Sequence, residues 1–500
     1  MCGCVILFLV NPQTKLLQVY VRILNGVGMF AGRKEEINAL ERAYTSNKSE
    51  FVVVYGRRRV GKSSLISRFS KGKPYCLSFE AIEGEQTKAQ IVHFTETLRK
   101  QTNDPLLADV AFPSWENVFT YLTERIVNER SKNEKLILFI DELPWMAAGR
   151  GKLVGLLKYY WDNHWKDQNV MLILCGSVAA FMVKRVMKSK ALYGRITLEI
   201  LLRGLQPHEA ALLFRNKRSN EEILKYQLIF GGIPKYIEEI DLNQSFNQNL
   251  NRLCFSKTSP MCHEIERIFY SQFKESRIYL KIVELLNGRI CTMDEISTRL
   301  AIASGGGLKL YLNNLEDAEI IHSFVPFGRR QTSKLRKYTL TDEFMIFFFK
   351  YMQPHLPIIT ETATSHFFET LTKGSFNVWL GFAFERFCTK HAMRLAALMG
   401  FGDEVLTASP YFEKGDRAFQ IDLLYERSDK VITICEIKHH NTPLTTKIIP
   451  EMERKSSLFR LPRGFTLEKA LVSLYGPDKA LRDACYFNHY IVLDDIIGSS

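Results

Sequence analysis

The chain has 500 residues, 46% of them hydrophobic and 24% charged, a composition typical of globular proteins, and its length predicts two to four domains. No stretch approaches the roughly 18 consecutive apolar residues of a membrane span. We therefore expect no membrane partner. The ten cysteines contain no C-x-x-C pair and no zinc-ribbon spacing, so we expect no zinc ribbon, and we expect reduced thiols in the cytoplasm. The net charge of +13 permits an anionic partner such as nucleic acid; the alternative is that the excess charge is spread over the surface.

The first 28 residues differ in character from those that follow. The segment MFAGRKEE begins at Met29 and leads into a predicted amphipathic helix over Glu35–Ala43. Our hypothesis is that Met29 is the true start and that residues 1–28 are an upstream extension or an added strand.

A phosphate-binding loop follows the first predicted strand. The stretch FVVVYGRRRVGKSSLISRF places an apolar strand, Phe51–Tyr55, before the pattern G-x-x-x-x-G-K-S and a helix after it. Glycines let backbone N–H groups face phosphates, and the helix dipole favours anions. Lys62 is predicted to reach the β- and γ-phosphates of ATP, and Ser63 to bind Mg²⁺. The predicted nucleotide-binding residues are Gly56, Arg57, Arg58, Arg59, Val60, Gly61, Lys62, Ser63 and Ser64.

Two further strands end in polar residues. The strand at Leu136 ends in Asp141, predicted to hold the Mg²⁺ shell, and Glu142, predicted to polarise the attacking water. The alternative is that these acids only cap a helix. The strand Val170–Cys175 leads to Ser177, which is either a polar sensor of the γ-phosphate or an ordinary turn serine.

Arg195 follows in the segment LYGR. It is either an arginine finger or sensor near the γ-phosphate, or a structural residue. If Arg195 acts in trans, a homo-oligomer follows. The alternation of strands and helices predicts an α/β domain with a parallel sheet, whose site lies at the carboxyl ends of the strands.

The motifs resemble a known family when they are taken in order. MFAGRKEE, GRRRVGKSSL, LFIDELPWM, LILCGSVAAFM, LYGR and FGGIPKYI follow one another over Met29–Ile237. This order resembles the archaeal and bacterial P-loop ATPase family related to the STAND and AAA+ proteins. The resemblance implies a helical lid in which Pro234 contacts the nucleotide base, although Pro234 is otherwise read as a helix-breaking turn.

The middle of the chain has the pattern of a winged helix. Predicted helices at Ser276–Leu286 and Thr292–Leu300, the latter with a capping box, precede a third helix carrying Lys309, Asn313 and Asn314. Two strands, Ile320–Val325 and Arg336–Leu340, enclose a basic loop with Arg329, Arg330, Lys334, Arg336 and Lys337. The pattern indicates either phosphate contact by the basic loop or an inter-domain relay.

Acids and a lysine converge near the carboxyl terminus. A predicted apolar helix, Trp379–Cys388, carries Glu385, and a hairpin presents Asp422 on one strand with Glu436 and Lys438 on the next. Period two puts Glu436 and Lys438 on one face. Glu385, Asp422 and Glu436 are hard oxygen ligands suited to Mg²⁺ or Mn²⁺, and Lys438 is predicted to orient or deprotonate a water.

This pattern resembles the PD-(D/E)xK nuclease superfamily, although Ile421 stands where the name has proline. The resemblance implies phosphodiester cleavage. The alternative is a structural ion pair on an inactive scaffold. A predicted basic helix over Leu444–Leu461, with Lys447, Arg454 and Lys455, either tracks a phosphate backbone or is a solvated face.

We therefore expect a multidomain α/β protein. Its predicted parts are a P-loop ATPase core and lid (29–240), a winged helix (260–345) and a restriction-endonuclease-like domain (365–495), with residues 346–364 bridging the last two. The expected function is an ATP-regulated, metal-dependent DNA endonuclease. The alternative is a nucleotide-driven switch or scaffold whose last domain only binds DNA or protein.

Overall fold

The computed structural model describes residues 30–108, 110–129, 133–147, 152–177, 181–190, 192–273, 275–329, 335–361, 366–413, 415 and 418–498. The expected start at Met29, the extension over residues 1–28, and Arg330 and Lys334 of the basic loop lie outside the described residues.

The predicted parallel sheet is present in the first part of the chain. It has five strands in the order β2-β3-β4-β1-β5: β1 Glu50–Tyr55, β2 Cys76–Glu80, β3 Leu136–Asp141, β4 Val170–Gly176 and β5 Leu198–Leu201. Strands β1, β3 and β4 are buried along their whole length, as expected of continuous apolar runs in a sheet covered on both faces. Their carboxyl ends meet at one edge, which is where the polar residues follow.

Helices cover both faces of this sheet. They are α1 Lys34–Thr45, α2 Lys62–Ser70, α3 Thr87–Thr102, α4 Trp115–Leu122, α5 Leu143–Met146 and α6 Lys152–Tyr160, with π-helical turns at Thr123–Val127, Trp161–Trp165 and Met182–Met187 and a 3₁₀ turn at Pro105–Ala108. Alternate residues of β1 enter different cores: Val52 packs in one cluster and Val53 in another. The period of two therefore separates two cores.

A group of helices follows the sheet and leads to a small antiparallel sheet. The helices are α7 Pro207–Leu212, α8 Asn220–Phe230, α9 Pro234–Glu238, α10 Phe246–Cys254 and α11 Glu264–Gln272. The next elements are α12 Ser276–Leu286, β6 Ile290–Thr292, α13 Met293–Leu300, α14 Gly306–Asp317, β7 Ile321–Phe324 and β8 Lys337–Leu340, with the strands in the order β6-β8-β7. The predicted capping box is present, because the Thr292 hydroxyl accepts from Glu295 N and the Glu295 carboxylate accepts from Thr292 N. Strand β6 was not predicted, since three residues give no readable alternation.

The last part of the chain contains a mixed sheet in the order β13-β12-β11-β10-β9. Its strands are β9 Val405–Glu413, β10 Phe419–Arg427, β11 Val431–Lys438, β12 Thr466–Ser473 and β13 His489–Val492. The helices around it are α17 Phe367–Thr372, α18 Phe376–Lys390, α19 Ala392–Leu398, α20 Ile449–Leu458, α21 Lys479–Asp483 and α22 Leu493–Ile497, with 3₁₀ turns at Gly402–Glu404 and Thr446–Ile448. The predicted hairpin is present, with Leu423 opposite Cys435 in antiparallel register.

The expected bridge over residues 346–364 is a packed helical segment where the structure describes it. It contains α15 Glu343–Phe347, a π-helical turn Phe348–Met352, a 3₁₀ turn Gln353–His355 and α16 Leu356–Glu361. Phe347 and Met352 are fully buried, because the run EFMIFFFKYM is too apolar for an exposed linker. One continuous hydrophobic cluster extends from the first sheet, through this segment, to the last sheet.

None of the helices in the described part of the chain is long and apolar enough to cross a bilayer.

Candidate functional site

The predicted phosphate-binding loop connects β1 to α2 and depends on its two glycines. Gly56 has φ 153°, and a Cβ added there would lie 2.2 Å from the carbonyl oxygen of Leu202. Gly61 has φ 90° and precedes the first turn of α2. The chain therefore needs glycine at Gly56 for close packing and at Gly61 for a backbone conformation that L-residues rarely adopt.

Lys62 and Ser63 follow the loop at the beginning of α2. The buried ammonium of Lys62 donates to the carbonyl oxygens of Gly56 at 3.2 Å and Arg57 at 2.9 Å. Burial lowers the pKa of Lys62. The hydroxyl of Ser63 donates to Oδ2 of Asp141 at 2.5 Å. A hydroxyl and a buried carboxylate side by side are hard oxygen donors, so these two residues fit a Mg²⁺ ion.

Glu142 and Ser177 are held together at the same edge of the sheet. Oε2 of Glu142 accepts hydrogen bonds from the hydroxyl of Ser177 at 2.7 Å and from its backbone N–H at 3.2 Å. Burial raises the pKa of Glu142, and its backbone has φ 51°, in the left-handed region. Two hydrogen bonds from Ser177 therefore fix the position of the Glu142 carboxylate.

Two cavities, each of about 420 Å³, open on this loop. The strand-end cavity contains Lys62, Glu142 and Ser177, and the lid cavity contains Pro234, the first residue of α9. The loop residues Arg58, Arg59, Gly61, Lys62, Ser63 and Ser64 line the strand-end cavity, and Arg59, Val60, Gly61 and Ser64 line the lid cavity. The structure thus brings most of the predicted nucleotide-binding residues to two adjoining spaces.

Arg57 is directed away from both cavities. Its guanidinium forms a buried ion pair with Asp342, at the beginning of α15. Burial opposes the charge of Arg57, but the neighbouring Asp342 outweighs it and raises the pKa of Arg57. Arg57 therefore connects the loop to the segment that precedes the last sheet, a role that the sequence did not predict.

Arg195 also lies outside the two cavities. Its Nε and Nη2 donate to the two carboxylate oxygens of Asp162 at 2.7 and 2.8 Å. These hydrogen bonds lower the pKa of Asp162 to about 2. Within one chain, the guanidinium of Arg195 is paired with Asp162, which agrees with a structural role for Arg195. A role in trans, at the site of another subunit, stays a prediction.

Four residues of α11 line the strand-end cavity, and the sequence predicted none of them; two of the four are charged, Glu264 and Arg267. Glu264 is fully buried, accepts from the hydroxyl of Tyr236 at 2.7 Å and pairs with Arg59 at 2.6 Å. Arg267 lines both cavities. No local motif marks this helix, because its residues reach the loop only through the packing of α11 against it.

The acids and lysines near the carboxyl terminus form a second candidate site. Glu436 is 1% exposed and pairs with two ammonium groups at 2.6 Å, that of Lys438 on the same strand and that of Lys455 on α20. Asp422 accepts from the backbone N–H of Ile437 at 2.9 Å. The strand pairing between β9 and β10 shifts register next to Asp422, a type of irregularity that redirects a side chain.

The predicted set of three metal ligands is not assembled. Among the described residues, no three His, Cys, Asp or Glu side chains are grouped closely enough to hold a metal ion. Each oxygen of Glu436 pairs with an ammonium group, so two lysines supply the positive charge that a metal ion was expected to supply. Asp422 and Glu436 remain candidate ligands, and Glu385 does not complete a shell with them.

The pKa values in this cluster reflect burial and mutual repulsion. Burial, with the nearby charge of Asp422, raises the pKa of Glu385 to about 7. Burial and Glu436 raise the pKa of Asp422. Burial opposes the charge of Lys438, but Glu436 outweighs it and raises the pKa of Lys438. The cluster is therefore a set of interacting groups and not isolated surface charges.

Two predicted nucleic-acid contacts are altered by the structure. Lys455, expected on a basic surface, is buried against Glu436. Asn314, expected on the helix that enters a groove, is buried. Its Nδ2 donates to the hydroxyl of Tyr279 at 2.5 Å, and its Oδ1 accepts from the ammonium of Lys184 at 3.3 Å. The sequence predicts both side chains to be exposed, because the spacing of residues along a helix does not show which other element packs against that face of the helix.

Residues 30–240 match the family described as an ATPase domain predominantly from Archaea. An uncharacterized protein of Methanocaldococcus jannaschii is 28% identical over 437 residues, which cover 87% of this chain and 93% of that protein. An uncharacterized ATP-binding protein of the same organism is 50% identical over 48 residues, which cover 10% of this chain and 81% of that protein. The Walker-type ATPase PABY2304 of Pyrococcus abyssi is similar with a TM-score of 0.48 and 19% identity, over 64% of this chain and 95% of that one. The family match and the loop geometry support ATP binding and hydrolysis by the first part of the chain.

Proposed function

We propose that this protein is an ATPase whose nucleotide state controls a metal-dependent nuclease site near the carboxyl terminus. The ATPase part rests on one observation, the convergence of Lys62, Ser63, Asp141 and Glu142 at the carboxyl edge of the parallel sheet. The nuclease part rests on Asp422, Glu436 and Lys438, which lie on neighbouring strands with buried charge.

Each residue of the first site has a chemical task in ATP hydrolysis. Lys62 exchanges two backbone carbonyls for the β- and γ-phosphates, where its charge offsets that of the triphosphate. Ser63 and Asp141 would hold Mg²⁺, which would neutralise phosphate charge. Glu142 accepts a hydrogen bond from the attacking water, and Ser177 keeps its carboxylate directed into the strand-end cavity.

Replacing Glu142 tests this assignment directly. Glu142→Gln keeps the size of the side chain but cannot accept a proton, so we expect hydrolysis to fall by about 100- to 10,000-fold while ATP still binds. Lys62→Ala should lose binding as well. Rates of phosphate release and nucleotide titrations measure the two effects, and wild-type rates in Glu142→Gln would contradict the role of Glu142.

The second site has part of what phosphodiester cleavage requires. Asp422 and Glu436 supply the oxygens that would hold a Mg²⁺ or Mn²⁺ ion, and the ion would stabilise the leaving oxygen. Because Glu436 raises the pKa of Lys438, this side chain stays an ammonium, which would orient a water and not deprotonate it. Lys438 pairs with Glu436, so its ammonium lies beside the oxygens that would receive the ion.

A continuous series of contacts supports control by nucleotide. Arg57 of the loop pairs with Asp342, whose carboxylate also accepts from the backbone N–H of Met345 at 2.7 Å and so caps α15. The next residue, Glu343, accepts from Lys390 of α18 at 2.7 and 2.8 Å. Because α18 carries Glu385, a movement of the loop reaches the acid and lysine cluster through packed elements.

The alternative function is a nucleotide-driven switch or scaffold whose last domain only binds DNA or protein. The observation that favours it is the pairing of Glu436 with two lysines, which balances the buried charge without any metal. In that case the cluster stabilises the sheet, as a structural ion network does.

Cleavage assays separate the two functions. Purified protein is incubated with plasmid, linear DNA and RNA in Mg²⁺ or Mn²⁺, with and without ATP, beside Lys438→Ala and Lys62→Ala. Lys479→Ala, which removes an exposed lysine of the same region, is the matched control. If Lys438→Ala abolishes cleavage and Lys62→Ala changes its rate, the results support a nuclease that is controlled by the nucleotide state. No cleavage of any substrate by a protein that hydrolyses ATP supports the switch.

A further inference from the structure

Arg267 is a cationic side chain at the boundary of the two cavities. It lies on α11 (Glu264–Gln272), is exposed, and contributes to the linings of both the strand-end cavity and the lid cavity. Within the described part of the chain, its guanidinium has neither an ion-pair nor a hydrogen-bond partner. An exposed guanidinium that lines a cavity and has no protein anion as a partner is available to a ligand anion.

The other cations around the cavities are engaged by the protein. Arg33 donates to the carbonyl oxygens of Val60 and Arg203, Arg58 pairs with Glu83, Arg59 pairs with Glu264, Lys235 pairs with Glu239, and Lys62 donates to loop carbonyls. Glu264, one turn before Arg267, already accepts from Tyr236 and pairs with Arg59. Arg267 is thus distinguished from its neighbours by its lack of a described partner.

The residues that share the boundary with Arg267 indicate which part of a nucleotide it meets. Gly61 and Ser64 line both cavities, as Arg267 does, and they belong to the turn whose backbone N–H groups face the α- and β-phosphates. Glu142 and Ser177 line only the strand-end cavity, where the terminal phosphate and the attacking water belong. Arg267 therefore shares both cavities with the turn for the inner phosphates, but only one cavity with Glu142 and Ser177.

We propose that Arg267 binds the α- and β-phosphates of the nucleotide and so fastens α11 to both ATP and ADP. This inference rests on the proposed ATP binding. Since ATP and ADP share these two phosphates, the contact contributes to the affinity for both nucleotides. It does not change the rate of the hydrolysis step itself. A residue that contacted the γ-phosphate would instead distinguish ATP from ADP.

Titrations of ATP and ADP test the proposal in the full chain. One charge-assisted hydrogen bond lost in Arg267→Ala should weaken both nucleotides by about 10- to 100-fold. KM for ATP should rise by a similar factor, while kcat changes by less than about threefold, the behaviour of uniform binding. Arg267→Lys should restore part of the affinity. Arg277→Ala, which removes an exposed arginine ten residues further along the chain, is the matched control and should bind as wild type.

Each of the other possible results overturns either the proposed function or the inference about Arg267. If the wild type binds neither nucleotide, the proposed function itself fails. If the wild type binds and Arg267→Ala binds equally well, the inference about Arg267 is wrong. Loss for ATP alone assigns the contact to the γ-phosphate, contrary to the proposal. A lower unfolding midpoint of Arg267→Ala without nucleotide, not restored by lysine, assigns Arg267 a structural role and also overturns it.

Discussion

The buried pair between Arg57 and Asp342 gives the sharpest prediction of stability. The two side chains are 6% and 2% exposed, so the loss of one partner leaves an uncompensated charge in the interior. Asp342→Asn retains an oxygen that can cap α15 and changes little but the charge. We expect it to lower the free energy of unfolding by about 3–5 kcal/mol, the usual cost of breaking a buried pair.

A double-mutant cycle separates the pair from other effects of the substitutions. Arg57→Met with Asp342→Asn removes both charges, and we expect the double variant to be more stable than the sum of the single losses by about 1–3 kcal/mol. Urea denaturation, followed by the fluorescence of the five tryptophans, measures each corner of the cycle. The exposed pair of Arg125 and Glu129, at 2.7 Å with side chains 45% and 53% exposed, is the matched control.

Two results would refute the reasoning. Glu129→Gln should cost less than about 1 kcal/mol, as surface pairs do. An Asp342→Asn variant that loses no more stability than this control would show that burial does not govern the strength of the Arg57–Asp342 pair. Additive single losses show that Arg57 and Asp342 do not interact.

Three further predictions concern the sites. Ser177→Ala removes a hydrogen bond of 2.7 Å to Glu142, and we expect hydrolysis to fall by about tenfold with ATP affinity retained; a rate equal to wild type contradicts the positioning role. Glu385 keeps a proton in the native state that the unfolded chain releases, because its pKa is raised from 4.5 to about 7. Wild type should therefore lose stability relative to Glu385→Gln as the pH rises from about 4.5 to about 7, and parallel urea midpoints across that range would exclude the effect. Gly56→Ala places a Cβ 2.2 Å from the Leu202 carbonyl oxygen at φ 153°; we expect a lower thermal midpoint and loss of ATP binding, and a variant that folds and binds normally would show that the loop can shift.

The sequence predicted the grouping of the candidate residues of the first site, because these residues follow the ends of strands. A parallel strand must be apolar to be buried, so the polar residue that ends it is conspicuous, and Asp141, Glu142 and Ser177 were all found in this way. The loop motif adds its own spacing. The two short or edge strands of the first sheet, β2 and β5, were not found because partial burial weakens the apolar pattern.

The contacts that the sequence did not reveal are long-range. Arg57 and Asp342 are separated by 285 positions, and Arg267 approaches the loop only through the placement of α11. No local period encodes such pairs, because they depend on how separate elements pack. Lys455 is a further example. The pattern of charged residues on its helix is typical of a solvated face, but its ammonium is buried against Glu436.

The hydrophobic cluster that continues through residues 343–361 has a consequence for how the chain can be divided. Phe344 stacks with Phe230 at 6.2 Å between ring centroids, and Phe347 packs against Trp379 at 5.6 Å. Cutting the chain on either side of this segment would expose these rings to water, so fragments made at the apparent boundaries should aggregate. The last sheet and the ATPase part are therefore expected to be inherited together and to melt together, unlike modules joined by a flexible linker.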